Sequence, residues 1–474
     1  MAETFGILVT VGFACALSFS TVLSMFFRKG LFRYFAVAIS ISILCISLGL
    51  FFESSAGSSQ LLDFFRNSIQ QEKLNLVSLL AGSLLGLLSG YAVFQANESA
   101  LAKTFVSFCL GSTLLAFALI LIRQQYPSVL YGEAVNSKYL ELETVASLSN
   151  EPICLCLADR GDIFVSFESF LDGRESSGIW KFQKNESGTW DRFDSSLEGL
   201  FARTNGMAHQ DGALYISRSG RLVHAAPEKL TYVNTGAVTR CLDTDKDGRF
   251  DYFEDIIKDL PGLQIPDSQH ANNGISFDKS GNLYVAVGTP TNRSIQVNPV
   301  EGTILKYSPP TYEASVFAQG FRNPFGMVMN QNDELFITDN DTNNNKGDEV
   351  NLVYKNQHYG HPYVLPGDPQ YEPNEFTQPI WVGGPASNIV GITYLGQGNL
   401  PLPYQDSLLV TDLPNNLIYQ LKLKRDGNKV TVSGISPFAR IPRPVGVVYD
   451  GKNSLFVISR RPDNKLYKIT FKTP

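Results

Sequence analysis

The 474-residue sequence predicts an all-β six-bladed β-propeller preceded by an α-helical transmembrane domain of four helices. Three observations lead to this prediction. Residues 1–122 are strongly apolar and include four long stretches without a charged side chain. Residues 150–474 are polar and rich in Gly, Asn, Asp and Pro, and one short strand pattern recurs six times within them. We therefore divide the chain into a four-helix transmembrane domain (1–123), a linker (124–150) and a six-bladed propeller (151–474).

The transmembrane prediction depends on the length and the flanks of the four apolar stretches. They cover residues 5–27, 34–52, 74–97 and 104–122. A bilayer is crossed by roughly 20 apolar residues, and in lipid a helix satisfies its own backbone. Arg28, Lys29 and Arg33 lie between the first two stretches, so the positive-inside rule makes that loop cytoplasmic and both termini extracytoplasmic. The leader Met-Ala-Glu-Thr carries no positive charge, which favours a retained anchor over a cleaved signal peptide.

The propeller prediction rests on the repeat. A turn residue followed by Leu or Ile, an aromatic or aliphatic residue and Val or Ile begins at Asp162, Ala213, Asn282, Glu334, Ser407 and Ser454. Such runs between Gly, Asn and Asp clusters predict strands. A second predicted strand follows each copy, at 178–181, 221–224, 303–306, 349–352, 417–420 and 465–468. A glycine begins the preceding apolar strand in five copies, at Gly206, Gly274, Gly326, Gly391 and Gly446.

This spacing distinguishes between two all-β folds. Strand triplets at intervals of roughly 50–70 residues have the period of propeller blades with loop insertions. A blade cannot bury both of its faces alone, so neighbouring blades must stack and close a ring. A β-sandwich is the alternative, but it does not need six matched units. Residues 139–146 are a candidate for a strand that closes the ring.

An acidic segment at residues 243–254 predicts a calcium loop of EF-hand type. Carboxylates stand at positions 1, 3, 5, 9 and 12, and Gly stands at position 6, where the chain must turn sharply. The predicted ligands are Asp243, Asp245, Asp247, the backbone carbonyl of Arg249, Asp251 and Glu254. The alternative is a solvated acidic hairpin. Because predicted strands flank the segment, we expect an ion there to stiffen the propeller and not to act as a sensor.

Charge and motif content exclude several function classes. The formal net charge is -6, whereas a nucleic-acid-binding protein needs a concentrated basic face. No nucleophile elbow with a Ser-His-Asp order and no phosphate-binding glycine loop is present in the sequence. The predicted partners are therefore the lipid bilayer and a small molecule, and we expect no nucleic acid.

Several polar motifs of the second half resemble one family. His270 begins a His-Ala-Asn-Asn-Gly segment, Arg322 and Asn323 lie within Gly-Phe-Arg-Asn-Pro-Phe-Gly, and Asp-Glu-Val-Asn at 348–351 leads to Tyr-Gly-His-Pro at 359–362. In this order they resemble the glucose/sorbosone dehydrogenase family of quinoproteins over residues 150–474. The resemblance implies a six-bladed propeller that uses pyrroloquinoline quinone (PQQ).

The resemblance also implies roles for individual residues. His270 would be the general base that accepts the substrate hydroxyl proton, and Arg322 would stabilise negative charge on the quinone oxygens, with Asn323 hydrogen-bonding beside it. Arg443, in Arg-Pro-Val-Gly, matches an arginine that clamps the cofactor carboxylates.

A second calcium would be expected near Asn340 and Asp341. The sequence also departs from the family pattern. Residues 412–416 carry no Lys or Arg, Ile441 stands where the glucose enzymes have a second arginine, and His361 replaces the usual Trp.

The sequence therefore predicts a membrane-anchored, extracytoplasmic quinoprotein dehydrogenase that oxidises a sugar or related alcohol. In a bacterium that side is the periplasm, and a membrane quinone is a candidate electron acceptor. One alternative is a non-catalytic propeller that binds a glycan or a protein partner. Another is a calcium-dependent hydrolase of lactonase type, which would require inward carboxylates around a central metal.

Overall fold

The structure is a computed structural model, and it describes the following residues: 134–135, 138–148, 151–167, 178–197, 201–226, 229–233, 236–261, 270, 272–296, 298–340, 342, 347–365, 375–385, 387–396, 400–427 and 429–472. The four predicted membrane spans and Asp341 lie outside these residues. Within the described ranges, no helix has the length and apolar character needed to cross a membrane.

The described residues form six antiparallel sheets, which we number as blades one to six and whose strands are given from the innermost outward. Blade one contains β3 (Pro152–Leu157), β4 (Ile163–Phe167), β5 (Ile179–Lys184) and β6 (Trp190–Phe193). Blade two contains β7 (Phe201–Gln210), β8 (Ala213–Ala226), β10 (Gly236–Leu242) and β11 (Tyr252–Leu260), with β9 (Lys229–Val233) paired to β8. Blade three contains β12 (Asn272–Phe277), β13 (Leu283–Val287), β14 (Thr303–Ser308) and β15 (Glu313–Gln319).

The remaining three blades follow the same order. Blade four contains β16 (Pro324–Met329), β17 (Leu335–Asp339), β18 (Glu349–Val353) and β19 (Trp381–Val382). Blade five contains β20 (Ile389–Leu395), β21 (Ser407–Asp412), β22 (Leu417–Asp426), β23 (Lys429–Arg440) and β1 (Ala134–Val135). Blade six contains β24 (Pro444–Tyr449), β25 (Ser454–Ser459), β26 (Lys465–Phe471) and β2 (Leu140–Ser147). A 3-10 turn, Leu402–Tyr404, precedes β21.

The blades close into a ring. Each innermost strand packs against the innermost strand of the next blade, and β24 of blade six packs against β3 of blade one. The outermost strand of blade six, β2, comes from before blade one in the chain and pairs antiparallel with β26. It lies in the segment for which the sequence predicts a ring-closing strand. The predicted all-β six-bladed propeller is confirmed.

The repeated glycines mark the closest approach between neighbouring blades. A Cβ at Gly206 would lie 2.1 Å from the carbonyl oxygen of Asn273, and a Cβ at Gly326 would lie 2.3 Å from that of Val390. All six innermost strands also carry a register shift near their starts. Equivalent positions of consecutive innermost strands therefore lie side by side, and all six strands begin at the same end of the ring. We call this end, where the innermost strands begin and the second strands end, the mouth.

Aromatic pairs join consecutive blades outside the glycine contacts. Tyr215 of blade two and Phe277 of blade three have ring centroids 4.8 Å apart. Trp190 of blade one meets Phe456 of blade six at 5.5 Å, across the point of ring closure. Such pairs contribute about 0.5–1.5 kcal/mol each beyond the area that they bury, so they help to fix each blade against its neighbour.

Blade two departs from the predicted strand pattern. The sequence predicts a separate second strand at 221–224, but β8 continues through these residues and pairs with β9. The third strand of the sheet is instead β10. The prediction of a separate strand at 221–224 was wrong. Gly220 lies inside β8 and weakens the strand without ending it, and the long hairpin of β8 and β9 continues the pairing.

Candidate active site at the mouth

Three residues predicted to carry chemistry lie at the mouth. His270 precedes β12, Arg322 precedes β16, and Arg443 directly precedes β24. They belong to blades three, four and six, and the ring brings their backbones to the same end of the molecule. His270 and Arg322 are close enough for the charge of the arginine to act on the imidazole.

Arg322 is 5% exposed and its guanidinium is fixed in place. Its Nε donates to the carbonyl oxygen of Asn292 at 3.0 Å, and its second terminal nitrogen donates to Oδ1 of the same residue at 2.9 Å. The other terminal nitrogen donates to the carbonyl oxygen of Asn340 at 3.1 Å. These acceptors are amide oxygens, and the three hydrogen bonds fix the plane of the guanidinium fork.

A buried carboxylate that the sequence analysis did not single out holds the backbone of this loop. Asp339, the last residue of β17, accepts hydrogen bonds from the backbone N–H groups of Arg322 at 3.0 Å and Asn323 at 2.7 Å. Burial raises the pKa of Asp339 to about 7, an effect opposed by the two N–H groups and the charge of Arg322 and increased by nearby Asp348. Its position at the end of a strand that reaches the mouth is the signal that could have identified it.

A chain of side-chain amides runs around the mouth. Asn205 of β7 donates to Oδ1 of Asn273 at 3.2 Å, and Asn273 of β12 donates to Oδ1 of Asn323 at 2.8 Å. Asn323 then donates to Oδ1 of Asn340 at 2.9 Å, and Asn340 donates to the carboxylate of Asp348 at 2.7 Å. Asn273, Asn323 and Asn340 thus each accept from one neighbour and donate to the next, which polarises the chain toward the carboxylate.

The amide chain also joins blades. Asn340 donates to the carbonyl oxygen of Ile389 at 2.9 Å, and the N–H of Ile389 donates to Asp348 at 2.7 Å. Blades two, three, four and five are therefore linked at the mouth by hydrogen bonds between side chains and innermost strands. Asn323 and Asn340, predicted to bind a cofactor, also perform this structural role.

His270 is held in one tautomer. Its Nδ1 lies 2.7 Å from the carbonyl oxygen of Thr289, and because a carbonyl oxygen can only accept, Nδ1 carries the proton and Nε2 is the acceptor. Burial, together with the charge of Arg322, lowers the pKa of His270 to about 4, against a smaller opposing effect of the Thr289 carbonyl. The imidazole is therefore neutral at physiological pH.

Arg443 lies at the mouth in blade six, two blades along the ring from Arg322. Its backbone has a φ of 43° and its N–H donates to Oδ1 of Asn416 at 2.9 Å. The side chain is partly exposed and has no hydrogen-bond or ion-pair partner among the described residues. Its guanidinium is thus available to an anion at the mouth, whereas that of Arg322 is already oriented.

The structure describes only one of the two residues of the predicted second calcium site. Asn340 offers Oδ1, which accepts from Asn323, while its backbone oxygen accepts from cationic Arg322. Asp341 lies outside the described residues. The prediction of a calcium ion near Asn340 and Asp341 therefore stays a prediction.

The acidic loop connects β10 to β11 at the end of blade two opposite to the mouth, beside the turn between β7 and β8. Asp243, Asp245 and Asp247 place carboxylate oxygens within 4.8 Å of one another, the one such acidic group in the described part of the chain. Asp251 instead bonds to the N–H of Thr244 at 2.8 Å and to its hydroxyl. Glu254 pairs with Arg240 at 2.8 Å. The structure thus brings three of the predicted ligands together and engages the other two carboxylates elsewhere.

The same loop packs against blade one. The carbonyl oxygen of Gly248 accepts from Lys181 at 3.3 Å, and Arg249 lies 3.4 Å from the carboxylate of Asp194. The N–H of Phe250 donates to the carbonyl oxygen of Ser195 at 3.0 Å, and its ring packs 5.8 Å from that of Phe164. An ion in this loop would stiffen the junction of blades one and two and is too remote to take part in chemistry at the mouth.

Comparison with known proteins agrees with this architecture. Residues 209–468, more than half of the chain, match the family described as Glucose / Sorbosone dehydrogenase. A search of curated proteins found no match.

Solved structures share the fold at low sequence identity. The soluble aldose sugar dehydrogenase of Escherichia coli in its apo form is 18% identical, with a TM-score of 0.51 over 70% of this chain and 100% of that one. The PQQ-bound aldose sugar dehydrogenase of Streptomyces coelicolor is 18% identical, with a TM-score of 0.51 over 72% and 100%. A calcium structure of a Trichoderma reesei carbohydrate-active enzyme of family AA12 is 13% identical, with a TM-score of 0.53 over 72% and 97%.

Proposed function

The chain belongs to the Glucose / Sorbosone dehydrogenase family, and on this premise we propose that it oxidises a sugar or a related alcohol with PQQ as cofactor. The observation that carries the proposal is the pairing of a neutral, oriented imidazole with a fixed guanidinium at the mouth. His270 has its Nδ1 proton held by Thr289, and Arg322 acts on it from the next blade. A base and a charge-stabilising group side by side are what removal of a hydroxyl proton and a hydride requires.

The residues at the mouth fit the cofactor. PQQ is an anion with carboxylates and an o-quinone, so it needs cations and hydrogen-bond donors. The charge of Arg322 acts at this position, since it adds to burial in lowering the pKa of His270. Arg443 and Arg322 would hold the anionic groups, and Asn323 retains an amide hydrogen beyond the one given to Asn340.

The proposed chemistry divides between the cofactor and the chain. Arg322, Asn323 and Arg443 would hold PQQ at the mouth, where the cofactor would supply the acceptor for the substrate hydride. Nε2 of His270 accepts the proton of the substrate hydroxyl, while Nδ1 keeps its own proton on Thr289. Arg322 would stabilise the negative charge that develops on oxygen, and the hydrogen bonds that it donates to Asn292 and Asn340 keep its fork from turning away. The products are a carbonyl compound, such as a lactone from an aldose, and the reduced cofactor.

We also propose that calcium binds the acidic loop through Asp243, Asp245 and Asp247 and the carbonyl of Arg249. The proximity of the three carboxylates supports this, since crowded like charges favour a bound cation. Asp251 and Glu254 would join after leaving Thr244 and Arg240. Because the loop lies opposite to the mouth, the ion would stabilise the fold and leave the reaction to the mouth.

The membrane part of the proposal comes from the sequence. Four apolar stretches within residues 1–122 would anchor the chain, with the propeller on the extracytoplasmic side and electrons passing to a membrane quinone. Alkaline carbonate extraction tests the anchor: the full chain should stay with the membrane pellet, and release into the supernatant would refute it.

The decisive test of the catalytic proposal uses the full chain purified in detergent. PQQ binding is measured by equilibrium dialysis, and turnover is measured as dye reduction with an aldose panel in PQQ and calcium. We expect PQQ-dependent turnover with at least one aldose. His270→Gln should retain PQQ binding and lower kcat by about 10²–10⁴-fold, the usual contribution of a general base.

The matched control is His209→Gln, which changes a histidine on β7 near the turn opposite to the mouth. Its ring lies 3.4 Å from Asp159, so it is far from the proposed chemistry and should leave kcat unchanged. Absence of both PQQ binding and turnover in the unaltered chain would favour a non-catalytic binding propeller. Lactone hydrolysis without PQQ would favour the hydrolase, although the acidic cluster of the described residues does not face the ring axis.

A further inference from the structure

His361 is buried at the mouth in an unusual state. It is 4% exposed, and neither Nδ1 nor Nε2 has a hydrogen-bond partner among the described residues. Its backbone is fixed, since its N–H donates to the carbonyl oxygen of Gly320 at 3.0 Å, two residues before Arg322. Buried polar groups are nearly always hydrogen-bonded, so a ring with two unpartnered nitrogens points to a group that is present when the protein works.

The neighbours of His361 identify its location. Burial lowers its pKa to about 3, with further lowering from the charges of Arg322, Arg293, His270 and His358. The imidazole is therefore neutral, with one donor nitrogen and one acceptor nitrogen. His270 and Arg322, the two residues proposed to carry out the chemistry, are thus close enough to affect the pKa of His361.

The turn that carries His361 is braced from blade three. Arg293 donates from Nε to the carbonyl oxygen of Pro362 at 2.9 Å and from a terminal nitrogen to that of Tyr363 at 3.0 Å. Tyr363 is 57% exposed, and its ring stacks on Phe376 with centroids 6.4 Å apart and an interplanar angle of 18°. The ring centroids of both residues lie within 5.8 Å of that of His358, so the turn combines an aromatic cluster with the buried imidazole of His361, a combination typical of small-molecule sites.

We propose that His361 binds a hydroxyl group of the sugar substrate and contributes to specificity, an inference that rests on the proposed function. A hydroxyl can accept from the protonated nitrogen of a neutral imidazole or donate to the unprotonated one. A cofactor carboxylate only accepts and is better matched by an arginine fork. A metal would need further ligands, and in the described residues the one cluster of three lies on the acidic loop.

Binding of aldoses to the full chain is the direct test, because it does not depend on turnover. Calorimetric titrations compare the unaltered chain, His361→Phe and His361→Gln, with His209→Phe as control. Phe fills the space without a polar atom, whereas Gln keeps a donor and an acceptor. We expect His361→Phe to weaken binding of the best aldose about three- to tenfold, as for loss of a neutral hydrogen bond, with His361→Gln weakened less and His209→Phe unchanged.

Monodeoxy derivatives of that aldose locate the contact. One derivative should bind the unaltered chain and His361→Phe equally, because the missing hydroxyl and the missing imidazole remove the same bond. An equal loss for every derivative, or no loss for the parent sugar, would overturn the inference, as would absence of aldose binding to the unaltered chain. Aldose binding through His361 without dye reduction would instead leave the inference standing and refute the dehydrogenase.

His361→Phe could fail to fold, and an independent measurement covers that case. The chain has five histidines, so selective ¹⁵N-histidine labelling of the unaltered protein gives few ring signals, assigned with the Gln variants. Addition of the best-binding aldose should move both His361 nitrogen signals and leave those of His209 in place. Unmoved His361 signals at saturating sugar would overturn the inference.

Discussion

The mouth and the acidic loop lie at opposite ends of the propeller and differ in the burial and hydrogen bonding of their polar groups. At the mouth, buried Asn273 and half-buried Asn205, Asn323 and Asn340 satisfy one another in a chain that ends on Asp348. In the acidic loop, the exposed carboxylates of Asp245 and Asp247 and the half-buried one of Asp243 lie within 4.8 Å of one another. The mouth is therefore preorganised by the protein itself, whereas the loop, in our proposal, would bind a cation that offsets repulsion between its carboxylates. Catalysis benefits from the first arrangement, since fixed dipoles need no reorganisation during the reaction.

The largest expected effect on stability comes from breaking the amide chain in its middle. Asn273→Ala removes the bonds to Asn323 and to the carbonyl oxygen of Pro324, both at 2.8 Å, and leaves Asn205 without its acceptor. Each buried group left unpaired costs about 1–3 kcal/mol, so we expect a loss of roughly 3–5 kcal/mol in the free energy of unfolding. Urea unfolding followed by tryptophan fluorescence reports on the propeller, because Trp180, Trp190 and Trp381 are the three tryptophans of the chain.

Asn185→Ala is the matched control for burial. Asn185 also makes several hydrogen bonds, including those to Thr189 and Asp191, but it lies in an exposed turn of blade one. Water replaces its lost partners, so the change should cost less than about 1 kcal/mol. Equal costs for the two variants would contradict the idea that burial distinguishes the mouth.

A pH titration tests the electrostatic side of the comparison. Burial lowers the pKa of His361 to about 3 in the folded chain, whereas an unperturbed histidine titrates near 6.5. The stabilisation from this group is therefore fully present above about pH 6.5 and is lost as pH falls toward 3. Relative to His361→Phe, the unaltered chain should lose up to roughly 3 kcal/mol of unfolding free energy between about pH 6.5 and 4.

The quantity to measure is the difference in unfolding free energy between the unaltered chain and His361→Phe at each pH. Burial raises the pKa of Asp339 to about 7, so that group acts in the opposite direction: its contribution falls as pH rises from about 4 to 7. It is present in both proteins and cancels in the comparison. Parallel pH profiles for the unaltered chain and His361→Phe would show that the imidazole titrates normally and is not desolvated.

Features that depend on residues close in sequence were predictable, whereas contacts between residues that only the closed ring brings together were not. The core strands and the glycines at the blade contacts follow from local patterns that recur along the chain. Local spacing also identified Asp243, Asp245 and Asp247 as a group. The amide chain was missed because Asn205 and Asn273 stand 68 residues apart, and no local periodicity relates them. Likewise, Asp339 accepts from the backbone N–H of Arg322 because the fold of blade four brings the two residues together, although they stand 17 residues apart.

The smallest expected effect concerns calcium at the acidic loop. Extracellular calcium modules bind with dissociation constants of about 10⁻⁴–10⁻³ M, so calcium at about 1 mM should raise the unfolding free energy by roughly 1 kcal/mol over a chelator. Asp245→Asn should abolish this gain, and Asp426→Asn, which alters an exposed carboxylate at the end of β22, should keep it.

Glu254→Gln distinguishes two coordination schemes. A full twelve-residue loop needs Glu254 to leave Arg240 and bind the ion, so its loss should weaken the response strongly, whereas a site built on the three clustered aspartates should respond almost normally. The unaltered chain could instead show no calcium response. Repulsion in the loop would then be offset by hydrogen bonds from its own backbone, such as that from the N–H of Gly248 to Asp243 at 2.9 Å. Both ends of the propeller would in that case be preorganised without an ion.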